Sequence, residues 1–168
     1  PDYTFVSPIN AIIHAGCKPI LADVDKTSLC INLKSIKKVV TKNTKAVILV
    51  HLYGNTNELD KISNYCKNKN IRLIEDCAEA FGTTFKKTHV GNFGECGTFS
   101  FFGNKTISTG EGGMIILKKK HQYLLAKKLR DHGMSSNTKY WHDEIGFNFR
   151  LTNLQAAIGC AQLEKAKF

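Results

Sequence analysis

The stretch that decides the fold is KAVILVHLYGNTNELDKISNYCKNKNIRLIEDCA, residues 45–78. Its two continuous apolar runs, 45–53 and 71–78, are typical of strands covered on both faces of a sheet. The polar-faced segment between them, 57–70, predicts a helix. Strand, helix and strand at this spacing predict a βαβ unit with parallel strands. The expected fold class is therefore α/β, with three α/β/α layers around a mostly parallel sheet.

The other elements are predicted from the same two periodicities and alternate along the chain. Strands are expected in three further apolar runs: residues 18–25, GTFSFF at 97–102 and GGMIIL at 112–117. Helices are expected in three further stretches: residues 32–40, a basic segment near 119–131, and from about Thr152 onward. Asn32 is the expected N-cap of the first of these helices, because its side chain can accept a hydrogen bond from the first turn.

Length and composition limit the function. A chain of 168 residues with 42% apolar residues is expected to form about one domain with a real core. The net charge is +10, but 21 scattered lysines and only three arginines argue against nucleic-acid binding. A basic surface can still steer an anionic substrate. No apolar run reaches membrane-spanning length and no signal peptide is recognisable, so we expect a cytoplasmic protein without a membrane partner.

The six cysteines and six histidines show no spacing that indicates a disulfide framework or a metal site. No C-x-x-C pair occurs, and each cysteine lies in apolar or mixed sequence. We therefore expect reduced, buried thiols and no bound metal. The cysteines are Cys17, Cys30, Cys66, Cys77, Cys96 and Cys160.

Lys105 stands at an unusual place for a lysine. It follows the apolar run GTFSFF and lies in the glycine-rich stretch GNKTISTGEGG, residues 103–113, which has little bulk to cover it. A P-loop would need G-x-x-x-x-G-K-[ST]. Here Asn104 stands between Gly103 and the lysine, and the next glycine back, Gly97, is one position too far away. A lysine in an apolar, partly desolvated place is instead a candidate for forming a Schiff base with an aldehyde.

Asp76 ends a second apolar run, in RLIEDCAEAFG, where an unpaired carboxylate is costly. Two interpretations are open: a cap on the following helix, or a carboxylate that faces a cationic group of a ligand. Ligands of parallel sheets bind beyond the carboxyl ends of the strands, where four residues stand: His51, Asp76, Glu79 and Lys105. Pyridoxal phosphate requires a lysine for the Schiff base and an aspartate that keeps the pyridine nitrogen protonated. Lys105 and Asp76 together therefore predict a pyridoxal phosphate site.

Longer stretches of the chain resemble a known family. VHLYG, LIEDCAEAFGTTF, VGNFGECGTFSFFGNKTISTGEGGMI and IGFNFRLTNLQAAIGCAQLEK look like consecutive signatures of the nucleotide-sugar aminotransferases of the DegT family. The resemblance runs from Pro1 to the last residues and is more specific than any single motif. It implies the large domain of an aspartate aminotransferase-like fold with pyridoxal phosphate as cofactor. Within the family, FFGNKTISTGEGGM and YWHDEIGFNFRLTN most resemble the GDP-perosamine synthases, which aminate C4 of GDP-4-keto-6-deoxymannose.

By position, the resemblance makes Lys105 the Schiff-base lysine and Asp76 the partner of the pyridine nitrogen. Glu79 matches the position near the cofactor's 3-hydroxyl, where the family often has glutamine. Three further residues match cofactor contacts: Ser100 for the phosphate, Phe5 for stacking on the ring, and Asn148 for the phosphate of the neighbouring subunit. Without the family, Ser100 and Phe5 would be interpreted as ordinary core residues.

The resemblance also implies a two-step transamination in a homodimer. Glutamate gives its amino group to the cofactor and leaves as 2-oxoglutarate, and the group then passes to the keto carbon of a nucleotide sugar. Lys105 would move the protons as general acid and base, while Asp76 stabilises the protonated ring. The family's phosphate-binding turn would precede Pro1 and its small domain would follow Phe168. We therefore expect residues 1–168 to be the central part of the large domain.

Other interpretations stay open. The chemistry could be that of a 3-keto-sugar aminotransferase or of the family's dehydratases, although the latter carry histidine in place of Lys105. A non-catalytic regulator of the same fold is a further alternative, against which the presence of both Lys105 and Asp76 weighs. Arg150 either meets a substrate anion or lies in an interface, and His51 has no role that the sequence assigns.

Overall fold

The computed structural model describes residues 1–166. Its strands are β1 (Ala46–Val50), β2 (Arg72–Asp76), β3 (Thr84–Phe85), β4 (Thr88–His89), β5 (Cys96–Ser100) and β6 (Gly113–Leu117). Its helices are α1 (Ser7–His14), α2 (Leu33–Val39), α3 (Leu59–Asn68), α4 (Lys120–Arg130) and α5 (Asn153–Leu163), with a 3₁₀ turn at Leu52–Gly54. None of these helices of residues 1–166 is both long and apolar enough to cross a membrane. Every predicted helix is present, and every predicted strand except one, with ends that differ by a few residues from the predicted ones.

One four-stranded sheet, in the order β1-β2-β5-β6, organises the chain. β1 runs parallel to β2 and β2 runs parallel to β5, whereas β6 is antiparallel to β5. The α/β fold with a mostly parallel sheet is therefore confirmed. The register places Val50 beside Asp76, and Asp76 beside Thr98 of β5. The carboxyl ends of β1, β2 and β5 thus meet at one edge of the sheet.

The hydrophobic core lies along β1 and β2. Helix α3 turns Leu59, Ile62 and Cys66 towards it at helical spacing, and none of the three is more than 1% exposed. Ile36 of α2 and Leu49 of β1 belong to the same buried cluster. Burying one such aliphatic side chain contributes about 1.5–3 kcal/mol. These contacts hold the strands whose ends carry the candidate site.

Two helix starts follow directly from the sequence. The Asn32 Oδ1 accepts a hydrogen bond from the Ser35 N–H at 2.8 Å, which confirms the predicted N-cap of α2. Thr152 caps α5 by accepting from the Gln155 N–H, while the Gln155 side chain accepts from the Thr152 N–H. This reciprocal pair is a capping box, and it satisfies two N–H groups that would otherwise lack partners.

The strand predicted at 18–25 is wrong. Only Val24 forms a single antiparallel bridge there. The segment is bonded instead to the N-terminal residues: the Asp2 N–H donates to the Ala22 carbonyl at 3.0 Å, and the Asp2 side chain accepts from the Val24 N–H at 3.1 Å. Pro19 has no N–H to give to a neighbouring strand. The apolar pattern alone therefore overstated strand pairing in this segment.

Helix α1 and the β3–β4 hairpin were not predicted. α1 carries Pro8 in its first turn, a position that proline favours because no N–H partner is needed there. The hairpin turns at Lys86 and Lys87, with φ values of 49° and 67°. Such turns usually contain Asn-Gly, so a pair of lysines is a weak turn signal.

The cysteines are all free thiols, but the expectation that they are all buried is wrong for two of them. Cys17 and Cys160 are exposed, whereas the other four are buried or half-buried. Cys17 lies just beyond the end of α1, and Cys160 lies on α5, where only Gly159 is fully buried. The sequence around each is apolar or mixed, but no other part of residues 1–166 covers it.

Candidate active site

The carboxyl edge of the sheet carries most of the residues singled out in the sequence. Asp76 is the last residue of β2, and His51 follows β1 directly. Ser100 is the last residue of β5, and Lys105 lies on the turn that follows. Glu79 lies in the loop after β2. The parallel register brings these strand ends to one edge, as expected.

Lys105 lies close to Glu79. Its Nζ is 3.7 Å from the Glu79 Oε1, and its side chain is only 20% exposed. The glycine-rich loop beyond it folds back towards β5, because the Thr109 N–H donates to the Phe101 carbonyl at 2.8 Å. Gly110 adopts a φ of +80° in this return, a conformation that residues with a side chain rarely adopt. The glycines therefore shape the turn that presents Lys105, which explains why the loop lacks bulk.

Glu79 is held between this lysine and the backbone of Tyr53. Its Oε2 accepts a hydrogen bond from the Tyr53 N–H at 2.8 Å. Tyr53 has a left-handed backbone, with φ 53° and ψ 27°, which costs a non-glycine residue about 1–3 kcal/mol. The charge-assisted bond to Glu79 offsets part of that strain. A hydrogen bond with the Tyr3 phenol raises the pKa of Tyr53, so the N-terminal segment lies beside the same edge.

Asp76 carries a partly buried carboxylate that is short of positive charge. Its Oδ1 accepts a hydrogen bond from the Ala78 N–H at 3.0 Å. Burial raises the pKa of Asp76, and this effect outweighs the Ala78 hydrogen bond and the nearby charges of His51 and Lys105, which lower it. A cationic ligand group beside the carboxylate would relieve the cost of burial. A protonated pyridine nitrogen therefore fits this site.

Ser100 and Phe5 are both accessible. The Ser100 Oγ accepts from the Phe102 N–H at 3.3 Å, which leaves its own hydroxyl proton for another partner. Phe5 is 74% exposed and lies two residues from Tyr3, whose phenol reaches Tyr53 at the site. A phosphate contact by Ser100 and ring stacking by Phe5 are thus compatible with the structure.

Asn148 belongs to a different part of the molecule. It is exposed, and it forms an isolated antiparallel bridge with Asp131, just after α4. Arg150 pairs with the same aspartate, with 3.3 Å between its Nη1 and the Asp131 Oδ1. No hydrogen bond or ion pair within residues 1–166 links Asn148 to Lys105 or Asp76. Within residues 1–166, the backbone bridge of Asn148 is therefore made with the residue after α4 and not with the strand ends.

The family model of the DegT/DnrJ/EryC1/StrS aminotransferases matches residues 1–168, the whole of this chain. The chain belongs to this family. It is 45% identical over 166 residues to a GDP-perosamine synthase of Escherichia coli O157:H7, which covers 99% of this chain and 46% of that protein. It is 36% identical over 159 residues to a UDP-N-acetyl-3-dehydro-α-D-glucosamine 3-aminotransferase of Acidithiobacillus ferrooxidans, covering 94% of this chain and 42% of the relative.

A solved structure shares the fold of this DegT-family chain. It is the E. coli GDP-4-keto-6-deoxy-D-mannose-3-dehydratase with bound hydrated pyridoxal phosphate. The TM-score is 0.90 at 31% identity, over 96% of this chain and 46% of that one. The chain thus spans about half the length of the relatives it matches. The family resemblance found in the sequence is confirmed.

Glu75 and His51 are both fully buried in this DegT-family chain. The sequence alone assigned no role to either residue. The Glu75 carboxylate accepts four hydrogen bonds: from the His51 Nε2 and from the N–H groups of Gly91, Phe93 and Gly94. A signal for Glu75 was present in the adjacent acids of LIEDCA. Because neighbours on a strand face opposite sides of the sheet, only one of the two can reach the site.

His51, Glu75 and Cys77 bring one potential metal ligand each within 4.8 Å of one another. Both oxygens of Glu75 are already occupied by N–H donors. Burial raises the pKa of the Cys77 thiol, which disfavours the thiolate that a metal needs. This cluster is therefore a hydrogen-bonded structure rather than a candidate metal site.

Proposed function

We propose that the full-length protein is a pyridoxal phosphate-dependent aminotransferase that converts GDP-4-keto-6-deoxymannose to GDP-perosamine, with glutamate as the amino donor. The observation that carries this proposal is a half-buried lysine at the same sheet edge as an under-compensated carboxylate, Lys105 and Asp76. The 45% identity to a GDP-perosamine synthase supports the choice of sugar. When bound, pyridoxal phosphate supplies an electron sink for the carbon that loses its proton.

Each residue of the edge has a distinct task in this proposal. Lys105 binds the cofactor aldehyde covalently, and its amine later carries the proton to and from the reacting carbon. Asp76 holds the proton on the pyridine nitrogen through a charge-assisted hydrogen bond. Glu79 would lie near the cofactor's 3-hydroxyl, Ser100 would donate a hydrogen bond to the phosphate, and Phe5 would cover one face of the ring.

Asn148 is assigned to the cofactor of a second copy of the chain, in a two-fold symmetric homodimer. Its exposure supports this assignment, as does the lack of a hydrogen bond from it to Lys105 or Asp76 within residues 1–166. Its neighbours Phe147 and Phe149 stack on each other with 4.9 Å between ring centroids, and both remain more than half exposed. Exposed aromatic side chains around a polar residue are typical of an interface.

A 3-keto-sugar aminotransferase is the second candidate, favoured by the 36% identity to the UDP-sugar 3-aminotransferase. Both candidates use Lys105 and Asp76 in the same way and differ in the nucleotide, the sugar and the keto position. A dehydratase is disfavoured, because the family resemblance places histidine in that branch where this chain has Lys105. A regulator would not need both residues.

Residues 1–168 are, in this proposal, the central part of the cofactor-binding large domain of a cytoplasmic protein. The chain covers less than half the length of its relatives, which leaves room for a small domain and for further parts of the large one. Six free thiols suit a reducing compartment. Backbone amides at a helix N-terminus outside this span would supply most of the phosphate contacts.

Product analysis with the purified full-length protein tests the proposal. With pyridoxal phosphate and glutamate, GDP-4-keto-6-deoxymannose should yield GDP-perosamine, as identified by mass spectrometry and NMR. Borohydride reduction followed by peptide mapping should place the pyridoxyl group on Lys105. Lys105→Ala should lower turnover by at least about 10²–10⁴-fold, the usual contribution of a general acid–base.

Lys86→Ala is the matched control, since Lys86 is an exposed lysine of the β3–β4 hairpin. It forms an ion pair with Asp60 of α3. This variant should keep full activity. A pyridoxyl group on another lysine, or an active Lys105→Ala variant, would contradict the assignment of the site. Amination of a UDP-linked 3-keto sugar in place of the GDP-linked substrate would favour the second candidate.

A further inference from the structure

Glu75 and His51 form a buried pair next to Asp76. Neither side chain is exposed to solvent, and the His51 Nε2 lies 3.0 Å from the Glu75 Oε2. Because successive side chains on a strand face opposite sides, the Glu75 side chain lies on the face of β2 away from that of Asp76. The pair therefore supports the site from behind and touches no ligand there.

The Glu75 carboxylate is saturated with hydrogen-bond donors. Its Oε2 accepts from the His51 Nε2 at 3.0 Å and from the Gly91 N–H at 2.8 Å. Its Oε1 accepts from the N–H groups of Phe93 and Gly94 at 2.7 and 2.6 Å. Burial by itself raises the pKa of Glu75, but the hydrogen bonds from His51, Gly94 and Gly91 outweigh it, so the pKa lies below its usual value. The carboxylate is a fixed anion inside the protein.

The loop that supplies these N–H groups lies directly against β5. Gly91 has a φ of +90°, and a Cβ there would come within 2.8 Å of the Phe99 ring. A Cβ on Gly97 would lie 2.5 Å from the Gly91 Cα. Only glycine permits this approach at both positions. The VGNFGE stretch, to which the sequence assigned no chemistry, therefore closes the loop around Glu75.

His51 forms hydrogen bonds with both Glu75 and its neighbour Asp76. Its backbone N–H donates to the Asp76 carbonyl at 3.0 Å, and its ring nitrogen Nε2 bonds to the Glu75 carboxylate. On the other side of β2, the Cys77 N–H donates to the Thr98 carbonyl at 2.8 Å. The main chain on either side of Asp76 is thus fixed from both neighbouring strands. The other ring nitrogen of His51, Nδ1, is buried without a partner in residues 1–166, so the ring is oriented through Nε2.

We propose that Glu75 and His51 are positioning residues that fix the Asp76 carboxylate against the nitrogen of the bound cofactor. They act through the main chain of Asp76 and contact no reacting atom. A displacement of about 1 Å is enough to weaken a preorganised site, and the strand end has no other buried anchor of comparable charge in the part of the chain described. This inference rests on the proposed cofactor chemistry at Lys105 and Asp76.

Variants of the full-length protein test the inference through cofactor binding rather than turnover. Glu75→Gln puts an N–H₂ group among N–H donors, so it should weaken pyridoxal phosphate binding about 10- to 100-fold, by analogy with the loss of residues that orient the ligands of a metal ion. The visible circular dichroism per bound cofactor should fall as well, because the ring loses its fixed orientation. His51→Leu should have the same two effects. His51→Gln retains an N–H that can reach Glu75 and should recover most of both signals.

Two further variants separate this inference from stability and from the proposed function. Ile62→Ala removes buried apolar contacts of α3, a part that is not bonded to the pair, and should lower the melting temperature while leaving cofactor affinity of the folded protein unchanged. Lys105→Ala should lose the covalent visible band of the cofactor. If Lys105→Ala kept that band, the proposed function would fail whatever the Glu75 variants show.

Three outcomes would overturn the positioning role. The first is wild-type affinity and circular dichroism in both Glu75→Gln and His51→Leu. The second is a loss in Ile62→Ala as large as in those variants, or equal losses in His51→Leu and His51→Gln. The third is failure of Glu75→Gln and His51→Leu to fold while Ile62→Ala folds, which would make the pair purely structural.

Discussion

The two lateral halves of the sheet, β1–β2 and β5–β6, differ in how far the apolar side chains beside them are buried. Beside β1 and β2, the helices α2 and α3 leave Ile36, Leu59 and Ile62 no more than 1% exposed. Beside β5, the strand β6 and the helix α4 leave five large apolar side chains between 41% and 53% exposed: Met114, Ile115, Tyr123, Leu124 and Leu125. Helix α4 has no buried residue at all among those described. We call these the covered side and the open side.

The residues proposed to have a function are distributed over both the covered side and the open side. Asp76, Glu75 and His51 lie on the covered side, where packing and buried hydrogen bonds fix side chains in place. Asn148, proposed to serve a neighbouring copy, is bridged to Asp131, the residue that follows α4 on the open side. Exposed apolar surface of this extent is typical of protein interfaces. The buried anchors beside Asp76 and the exposed apolar surface near α4 thus lie on different sides of one sheet, with Ser100 and Lys105 following the strand β5 between them.

The largest expected effect contrasts two leucines. Leu59→Ala on the covered side should lower the free energy of unfolding by about 2–5 kcal/mol, because it leaves a cavity in a closed core. Leu124→Ala on the open side, where the side chain is 52% exposed, should change it by less than about 0.5 kcal/mol in the 168-residue chain. Urea unfolding followed by far-UV circular dichroism measures both.

The same two variants in the full-length protein sharpen the contrast. Leu59→Ala should cost the same there, because its core is closed within residues 1–166. Any added cost of Leu124→Ala measures the burial that the rest of the chain or a second copy supplies. Equal costs of the two variants in the 168-residue chain would break the comparison.

A smaller effect contrasts two glycines that flank the site. Gly97→Ala should lower the free energy of unfolding by about 1–3 kcal/mol, because its Cβ would collide with the Gly91 backbone behind the site. Gly103→Ala should change it by less than about 0.5 kcal/mol, since the nearest atom to its Cβ is the Gly110 oxygen at 3.9 Å. Thermal unfolding of the cofactor-free protein compares them, and a tolerated Gly97→Ala would show that the loop can move away from β5.

The smallest effect concerns Asp76 itself and depends on pH. Because burial raises the pKa of Asp76, its contribution to stability is present below the unfolded-state pKa of about 3.9 and is lost as the pH rises through the folded-state value. Asp76→Asn lacks this loss, so the cofactor-free variant should become more stable relative to the wild type as the pH rises through that window. One group can change the slope by at most about 1.4 kcal/mol per pH unit.

Melting temperatures of the cofactor-free protein between pH 4 and pH 7 would measure this gain, and turnover of the same variant should fall by orders of magnitude. Glu75→Gln is the opposite case on the same strand. Its depressed pKa means that the ionised carboxylate stabilises the fold above its unfolded-state pKa, so this variant should lose stability at neutral pH. An Asp76→Asn variant that is less stable than the wild type at neutral pH would contradict the cost assigned to that carboxylate.

Much of the fold was predictable because it depends on local patterns. The apolar runs of β1 and β2, the polar-faced α3 between them, the N-cap Asn32 and the helix start near Thr152 each carry their signal within a few residues. The positions of Lys105 and Asp76 beyond β5 and at the end of β2 were also predictable, since each follows an apolar run; their role in catalysis stays a prediction. The segment 18–25 was wrong for the same cause: its apolar pattern is local, but pairing requires a neighbouring strand that it does not have.

What the sequence by itself determined about this protein is the order of its elements, its family, and the residue types available for chemistry at the strand ends. Only the tertiary structure decided that Glu79 is held by the strained backbone of Tyr53, and that Glu75 gathers N–H groups from His51 and from a loop 16 to 19 residues further along the chain. It alone also separated the covered side from the open one. The physical reason is that residue type and periodicity are properties of a short segment, whereas the partner of a buried charge depends on which distant segments the sheet brings together.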